Sequence, residues 1–126
     1  MDDKILKNIK DASLLLNILK GTKLNKITIV KEYAEFEFYN NKEKSILRWF
    51  NYRGEHFNSI IDIMGMPDYI DCVVENVHYI IYDRVYLGIW ICNEHYGAEI
   101  DIIGDIGICI SDIWRYFDRD YNLVSR

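Results

Sequence analysis

Apolar residues at the start of the chain recur with the period of an α-helix. Over residues 2–20 they fall at spacings of three and four and form one stripe: Ile5, Ile9, Ala12, Leu16 and Leu19. Gly21 is a natural C-terminal stop for such a helix. The pattern predicts an N-terminal helix over residues 2–20, with Asp11 as an alternative cap of a second, shorter helix.

The period then changes to two, which is typical of a half-buried strand. Over residues 27–39 one face carries Val30, Ala34, Phe36 and Phe38, and the other carries Tyr33, Glu35, Glu37 and Tyr39. Turn residues occupy positions 40–43, and residues 45–50 alternate again. These two segments predict a hairpin.

Helical spacing returns over residues 57–64, where Phe57, Ile60, Ile61 and Met64 share one side. Gly65 and Pro67 then predict the end of this central helix. Four short β-type segments follow at residues 78–82, 86–92, 98–103 and 106–110. Short connections favour their antiparallel pairing as a meander, with Gly104-Asp105 as a tight turn between the last two strands.

The last segment predicts a C-terminal helix. Ser111 or Asp112 can cap it, and its apolar side contains Ile113, Trp114, Phe117 and Tyr121. An alternative joins residues 106–121 into one helix, which Gly107 and the β-branched run disfavour. The predicted fold class is α+β. We expect a single domain over residues 1–126, in which an antiparallel sheet (hairpin plus meander) carries an N-terminal, a central and a C-terminal helix.

Composition supports a globular domain. Half of the 126 residues are apolar, which suffices for a core without disulfide or metal, so we expect no cofactor. Cys72, Cys92 and Cys109 lack the spacing of a zinc site and are expected to be free thiols. The N-terminus is charged and lacks the apolar stretch of a signal peptide, and the apolar runs are too short to span a membrane. We therefore expect a cytoplasmic protein.

Charge divides unevenly along the chain. Residues 1–53 contain eleven Lys and Arg against seven Asp and Glu, whereas residues 54–126 contain four Arg, no Lys and thirteen Asp and Glu. An acidic segment with so few bases attracts cationic partners and repels nucleic acid. The asymmetry matters for binding only if the two halves of the chain do not interleave in space.

Candidate catalytic chemistry is sparse. His56, His78 and His95 form no metal-binding or catalytic motif, although each could act as a base with an acidic partner. Glu99 and Asp101 share a strand face near Asp105 and could bind Mg²⁺ or Ca²⁺. Two carboxylates are, however, also a common composition of a solvent-exposed strand face that binds no metal. A small hydrolase or nuclease-like enzyme using one of these histidines is therefore an alternative function.

Tyrosine is abundant, with ten residues, and not all of them fit into a core. Exposed tyrosine beside carboxylate is typical of a protein-binding patch. One basic-aromatic cluster, residues 48–53, could instead be an RNA platform, but it is isolated in an acidic chain.

These observations favour a small acidic cytoplasmic binding protein. We expect a bacterial immunity or inhibitor protein that neutralises a cationic partner toxin, such as a nuclease, by occluding its active groove. A phage-encoded DNA mimic that inhibits a host defence enzyme is a further alternative. Nucleic acid and membranes are not expected partners. The predicted partner-binding residues are Asp68, Tyr69, Asp71, Glu94, Tyr96, Glu99, Asp101 and Asp105.

Overall fold

The computed structural model describes residues 2–50, 71–81, 84–103 and 105–126. In these ranges the chain forms one helix, α1, a 3₁₀ turn directly after it, and nine strands. Their bounds are α1 (Asp3–Leu16), the 3₁₀ turn (Asn17–Leu19), β1 (Lys23–Ile29), β2 (Tyr33–Tyr39), β3 (Lys44–Phe50), β4 (Val73–Ile81), β5 (Val85–Cys92), β6 (Gly97–Ile102), β7 (Ile106–Ile110), β8 (Ile113–Phe117) and β9 (Leu123–Val124).

Helix α1 forms where the apolar stripe predicts it. The carboxylate of Asp2 caps it by accepting the backbone N–H of Lys4 at 2.8 Å. The stripe residues Ile9, Ala12 and Leu16 are fully buried. The chain leaves the helix through the 3₁₀ turn and through Gly21, whose φ of 87° lies in the left-handed region. Within the described ranges, no helix has the length and apolar character needed to cross a bilayer.

All nine strands belong to one antiparallel sheet with the order β6-β5-β4-β1-β2-β3-β7-β8-β9. The sheet has two parts, which we call the three-stranded half (β4, β5, β6) and the six-stranded half (β1, β2, β3, β7, β8, β9). The halves meet at a corner where Lys23 of β1 pairs with Val73 of β4. Because these are the first residues of two antiparallel strands, β1 and β4 extend away from the corner in opposite directions.

A short connection folds the two halves over one another. Strands β6 and β7 are six strand spacings apart in the order, which would be about 29 Å in a flat sheet. Only three residues link Ile102 of β6 to Ile106 of β7, and they span at most about 15 Å. The sheet therefore bends at the β1–β4 corner until its far ends approach.

The bend encloses a single apolar core. Both halves and α1 contribute buried side chains to one cluster, including Phe36 and Trp49 from the six-stranded half and Ile89 from the three-stranded half. Helix α1 packs against β4 and β5 within this enclosure. Side chains on the opposite surface of each strand form the outer faces of the two halves.

Tyr121 joins the far ends of the two halves. Its side chain is 2% exposed, and its hydroxyl donates toward the backbone carbonyls of Ile102, at 2.9 Å, and Val85, at 3.2 Å. The loop between β8 and β9, which contains Tyr121, also contacts α1. There the side-chain amide of Asn8 donates to the carbonyl of Asp120 and to Oδ1 of Asn122. The segment after β8 thus ties β5, β6 and α1 together.

The predicted arrangement of three helices on a sheet is wrong. The segment assigned to a C-terminal helix forms β8, a turn and β9 instead. Ser111 and Asp112 have φ values of 53° and 63°, and Ile110 pairs with Ile113. Two consecutive residues with positive φ between paired strands make a hairpin turn, not a helix cap. The alternative single helix over residues 106–121 is excluded by the same pairing.

The predicted meander is partly correct. Its four strands exist as β4 to β7, although β4 begins at Val73 rather than His78. The last two do not form the expected hairpin, because β6 pairs with β5 whereas β7 lies between β3 and β8. The first alternating segment also divides, into β1 and β2, while the predicted β2–β3 hairpin is confirmed. The predicted central helix, residues 57–64, lies outside the described residues.

The Tyr121 bonds give a stability prediction. Replacing Tyr121 by Phe keeps the buried ring but removes the donor to the two carbonyls, so the free energy of unfolding should fall by about 1–2 kcal/mol. Denaturant unfolding followed by circular dichroism measures the change. Tyr39→Phe, at a 48% exposed position, is the control and should change stability by less than about 0.5 kcal/mol. Equal effects of the two substitutions would contradict the role of the hydroxyl.

Candidate functional site

The outer surface of the three-stranded half carries three of the predicted acidic residues, Glu94, Glu99 and Asp101. Alternation along β6 places Ile100 in the core and Glu99 and Asp101 outside. The β5–β6 turn adds Glu94 and Tyr96. We call this surface the acidic face, and its members are Glu75, His78, Trp90, Glu94, Tyr96, Glu99 and Asp101.

A histidine and a carboxylate meet at the centre of the acidic face. Nε2 of His78 on β4 lies 2.9 Å from Oε2 of Glu99 on β6, although β5 lies between the two strands. Gly88 of β5 allows this contact, because a Cβ there would lie 2.6 Å from Nε2 of His78 and 3.1 Å from the Glu99 carboxyl carbon. The pair fixes the position of one predicted binding carboxylate.

Trp90 lies beside this pair and is also seated on a glycine. A Cβ on Gly97 would lie 2.5 Å from Cζ2 of the indole ring, so the ring is in close contact with β6 at this glycine. Trp90 is nevertheless 36% exposed to solvent. Tyr96, which is 40% exposed, follows an Asx turn in which Oδ1 of Asn93 accepts the backbone N–H groups of His95 and Tyr96. The acidic face therefore combines carboxylates with two exposed aromatic rings.

Glu75 extends the acidic face along β4. It sits at an irregularity in the β4–β5 register and accepts a hydrogen bond from Sγ of Cys92 at 2.9 Å. This bond raises the pKa of the Cys92 thiol, with smaller contributions in the same direction from burial and from the charge of Glu75. The thiol is thus held in its protonated, less reactive form.

The predicted binding residues do not all lie together. Glu94, Tyr96, Glu99 and Asp101 share the acidic face. Asp71 lies at the β1–β4 corner, where its backbone N–H donates to the carbonyl of Leu24. Asp105 precedes β7 in the six-stranded half, and its carbonyl accepts the backbone N–H of Phe50. Asp68 and Tyr69 lie outside the described residues.

Sequence reasoning did not include Glu75, His78 or Trp90 in the binding surface. The bulge at Glu75 and the start of β4 at Val73 were not apparent from the alternation, so the face of each β4 residue was not assigned. Trp90 lies between Ile89 and Ile91, which are buried residues of β5, so alternation puts its side chain on the outer surface. Strict alternation around Trp90 is the signal that could have identified it.

Charge is segregated by the fold as well as by the sequence. Residues 71–103, which include all of the three-stranded half, contain six Asp and Glu and one Arg. Residues 22–50, which include β1, β2 and β3, contain six Lys and Arg and four Asp and Glu. Four of those six acidic residues, Glu75, Glu94, Glu99 and Asp101, lie on the acidic face, whereas β7 to β9 join the other part of the sheet.

The histidines offer little catalytic geometry in the described residues. Both ring nitrogens of His78 have neighbours, since Nδ1 lies 3.2 Å from Nδ2 of Asn76 and Nε2 contacts Glu99. His95 is 76% exposed in the β5–β6 turn, 4.0 Å from the Glu94 carboxylate. His56 lies outside the described residues. Among the described side chains, no group of three His, Cys, Asp or Glu could hold a metal ion, and this includes Glu99, Asp101 and Asp105.

Comparison of the chain with protein-family models, with curated proteins and with solved structures finds no match.

The contact between Cys92 and Glu75 gives a direct test of the local geometry. Glu75→Ala removes the acceptor and the charge that raise the thiol pKa, so Cys92 should react faster with iodoacetamide at pH 8. Glu94→Ala removes an equal charge from the same face without touching Cys92 and is the matched control. Mass spectrometry of the labelled peptides separates Cys92 from the buried Cys72 and Cys109. Equal rates in the two variants would contradict the contact.

Proposed function

We propose that this chain is a binding protein that neutralises a cationic partner protein through the acidic face. One observation carries the proposal: the acidic face carries four carboxylates (Glu75, Glu94, Glu99 and Asp101), whereas strands β4, β5 and β6 contain no Lys or Arg. The partner class that fits this surface best is a nuclease toxin, because a groove that attracts phosphate also attracts carboxylates. The chain would then be the immunity or inhibitor protein of that toxin.

The geometry of the acidic face supports binding in a defined orientation. Glu99 is held by His78 and Glu75 by the Cys92 thiol, so both carboxylates are positioned before a partner arrives. Pre-ordered groups lose less conformational entropy on association than mobile ones. Trp90 and Tyr96 add aromatic area, which is enriched at the centres of protein interfaces.

The contacts of His78 favour this proposal over the enzyme alternative. A general base needs a nitrogen that can reach a substrate proton, whereas both nitrogens of His78 already contact Asn76 and Glu99. A DNA mimic that inhibits a host defence enzyme would use the same carboxylates and differs in its partner alone. We further propose that the chain acts in the bacterial cytoplasm, where the thiols of Cys72, Cys92 and Cys109 stay reduced.

A charge-reversal pair tests the proposal. The partner is first captured from cells of the source organism on the immobilised intact chain and identified, and its association is then timed with purified protein. Glu75→Lys with Glu94→Lys reverses two exposed carboxylates of the acidic face, so association at low ionic strength should slow by about tenfold or more. The intact chain should also abolish the partner's nuclease activity or toxicity at a one-to-one ratio.

The matched control is Glu32→Lys with Glu43→Lys, which makes the same charge change at exposed turns of the six-stranded half. This control should associate at close to the unaltered rate and depend on salt as the intact chain does. Glu99 is left unchanged because its contact with His78 spans β5. Because Glu75→Lys also gives up the thiol hydrogen bond of Cys92, circular dichroism of both pairs checks that each stays folded. An acidic partner, or equal slowing by both pairs, would disprove the proposal.

A further inference from the structure

A second outer surface lies on the six-stranded half, and it is rich in aromatic side chains. Strand pairing puts Arg48 of β3, Gly107 of β7 and Tyr116 of β8 side by side in one row. Neighbouring rows add further rings on the same side of the strands. We call this surface the aromatic face, and its members are Tyr33, Arg48, Phe50, Gly107, Trp114 and Tyr116.

Gly107 lets the rings of β8 lie close against the backbone of β7. A Cβ at this position would lie 2.7 Å from the Tyr116 ring and 3.4 Å from the Trp114 ring. The two rings stack on each other with centroids 5.7 Å apart and planes 5° from parallel. A rigid pair of ring faces therefore stands over β7.

Arg48 lies on the aromatic face between Tyr33 of β2 and Trp114 of β8. Its guanidinium carbon lies 4.7 Å from the Tyr33 ring centroid and 4.5 Å from that of Trp114, so it is sandwiched between two rings. Its Nε donates to Oε1 of Glu35 at 2.8 Å, and this bond raises the pKa of the guanidinium although partial burial opposes it. Arg48 is thus a fixed structural cation.

A second guanidinium, from Arg126, also lies on the aromatic face. Its guanidinium carbon lies 3.6 Å from the Phe50 ring centroid and 5.8 Å from that of Tyr116. The Phe50 and Tyr116 rings are tilted by 47° with centroids 6.4 Å apart, so two ring faces are directed at one cation. Arg126 is exposed and follows the two-residue strand β9, so local structure restrains it far less than Arg48.

We propose that Phe50 and Tyr116 form a binding site for an arginine side chain of another molecule, and that Arg126 is a tethered competitor for it. The seated guanidinium of Arg126 identifies the chemistry that the site accepts. An exposed cation–π contact is weak, so Arg126 can leave the rings and a second guanidinium can replace it. The inference does not depend on the proposed function, because it concerns different strands and a different outer face.

An arginine ligand is favoured over a nucleic acid on this face. A stacking platform for single strands needs cations that are available to phosphate groups. Arg48 is instead paired with Glu35 and enclosed by Tyr33 and Trp114. The ring faces of Phe50 and Tyr116 are left to a planar cation, which stacks on rings better than an ammonium does.

Removal of the tethered competitor tests the site. The full chain and its Arg126→Ala variant are titrated with N-acetyl-arginine-methylamide at constant ionic strength, and the ring signals of Phe50 and Tyr116 are followed by NMR. If Arg126 fills the site most of the time, its removal should lower the apparent dissociation constant about threefold or more. The lysine analogue should bind more weakly to the same variant.

Phe50→Leu, made in the Arg126→Ala background, keeps an apolar side chain but removes the ring and should abolish saturable binding. Tyr116→Leu is the second variant if the first does not fold, as judged by its backbone amide spectrum. Three outcomes would overturn the proposal: equal affinity with and without Arg126, equal affinity for arginine and lysine, or binding that survives loss of the rings. Tighter, Phe50-dependent binding of a ten-residue uridine oligonucleotide would overturn it in favour of a nucleic-acid platform.

Discussion

Three residues connect β6 to β7, yet six strand spacings separate these strands in the sheet. The chain satisfies both conditions by pairing β1 with β4 only near their first residues and folding the sheet at that corner. The fold-over brings the apolar surfaces of both halves and the stripe of α1 into one core. Tyr121 then holds the far ends together through bonds to β5 and β6, so the closure depends on a segment distant in sequence from the corner.

This arrangement explains which parts of the structure follow from local sequence. Helix α1 and the β2–β3 hairpin are set by periodicity and by turn residues within a few positions, and both were predictable. The segment after Ile110 was not, because Ile113, Trp114, Phe117 and Tyr121 satisfy a helical spacing and a strand can use the same residues. The left-handed φ values of Ser111 and Asp112 decide between them, and that conformation is imposed by pairing with β7 rather than by residue type.

The acidic face could be predicted in part for a similar reason. Glu99 and Asp101 follow from alternation within one strand, and both lie where the pattern placed them. Asp105 is only four residues further along, but it lies at the end of the crossing to the six-stranded half and so is not on this surface. Which strands become neighbours is a property of the whole sheet, and no local pattern encodes the insertion of β7 between β3 and β8.

Isolated glycines link the two outer faces. Gly88, Gly97 and Gly107 each lie under a large side chain of a neighbouring strand, where a Cβ would clash. A glycine inside a strand lowers the stability of that strand, so this loss must be offset by the side-chain contacts that the glycine permits. Here it admits the His78–Glu99 pair and Trp90 on one half, and the Trp114–Tyr116 stack on the other.

The sheet thus presents carboxylates on one outer face and aromatic rings on the other. Both kinds of group attract cations, but through different interactions. The carboxylate attraction weakens with salt, whereas the ring attraction depends on close stacking and is far less sensitive to salt.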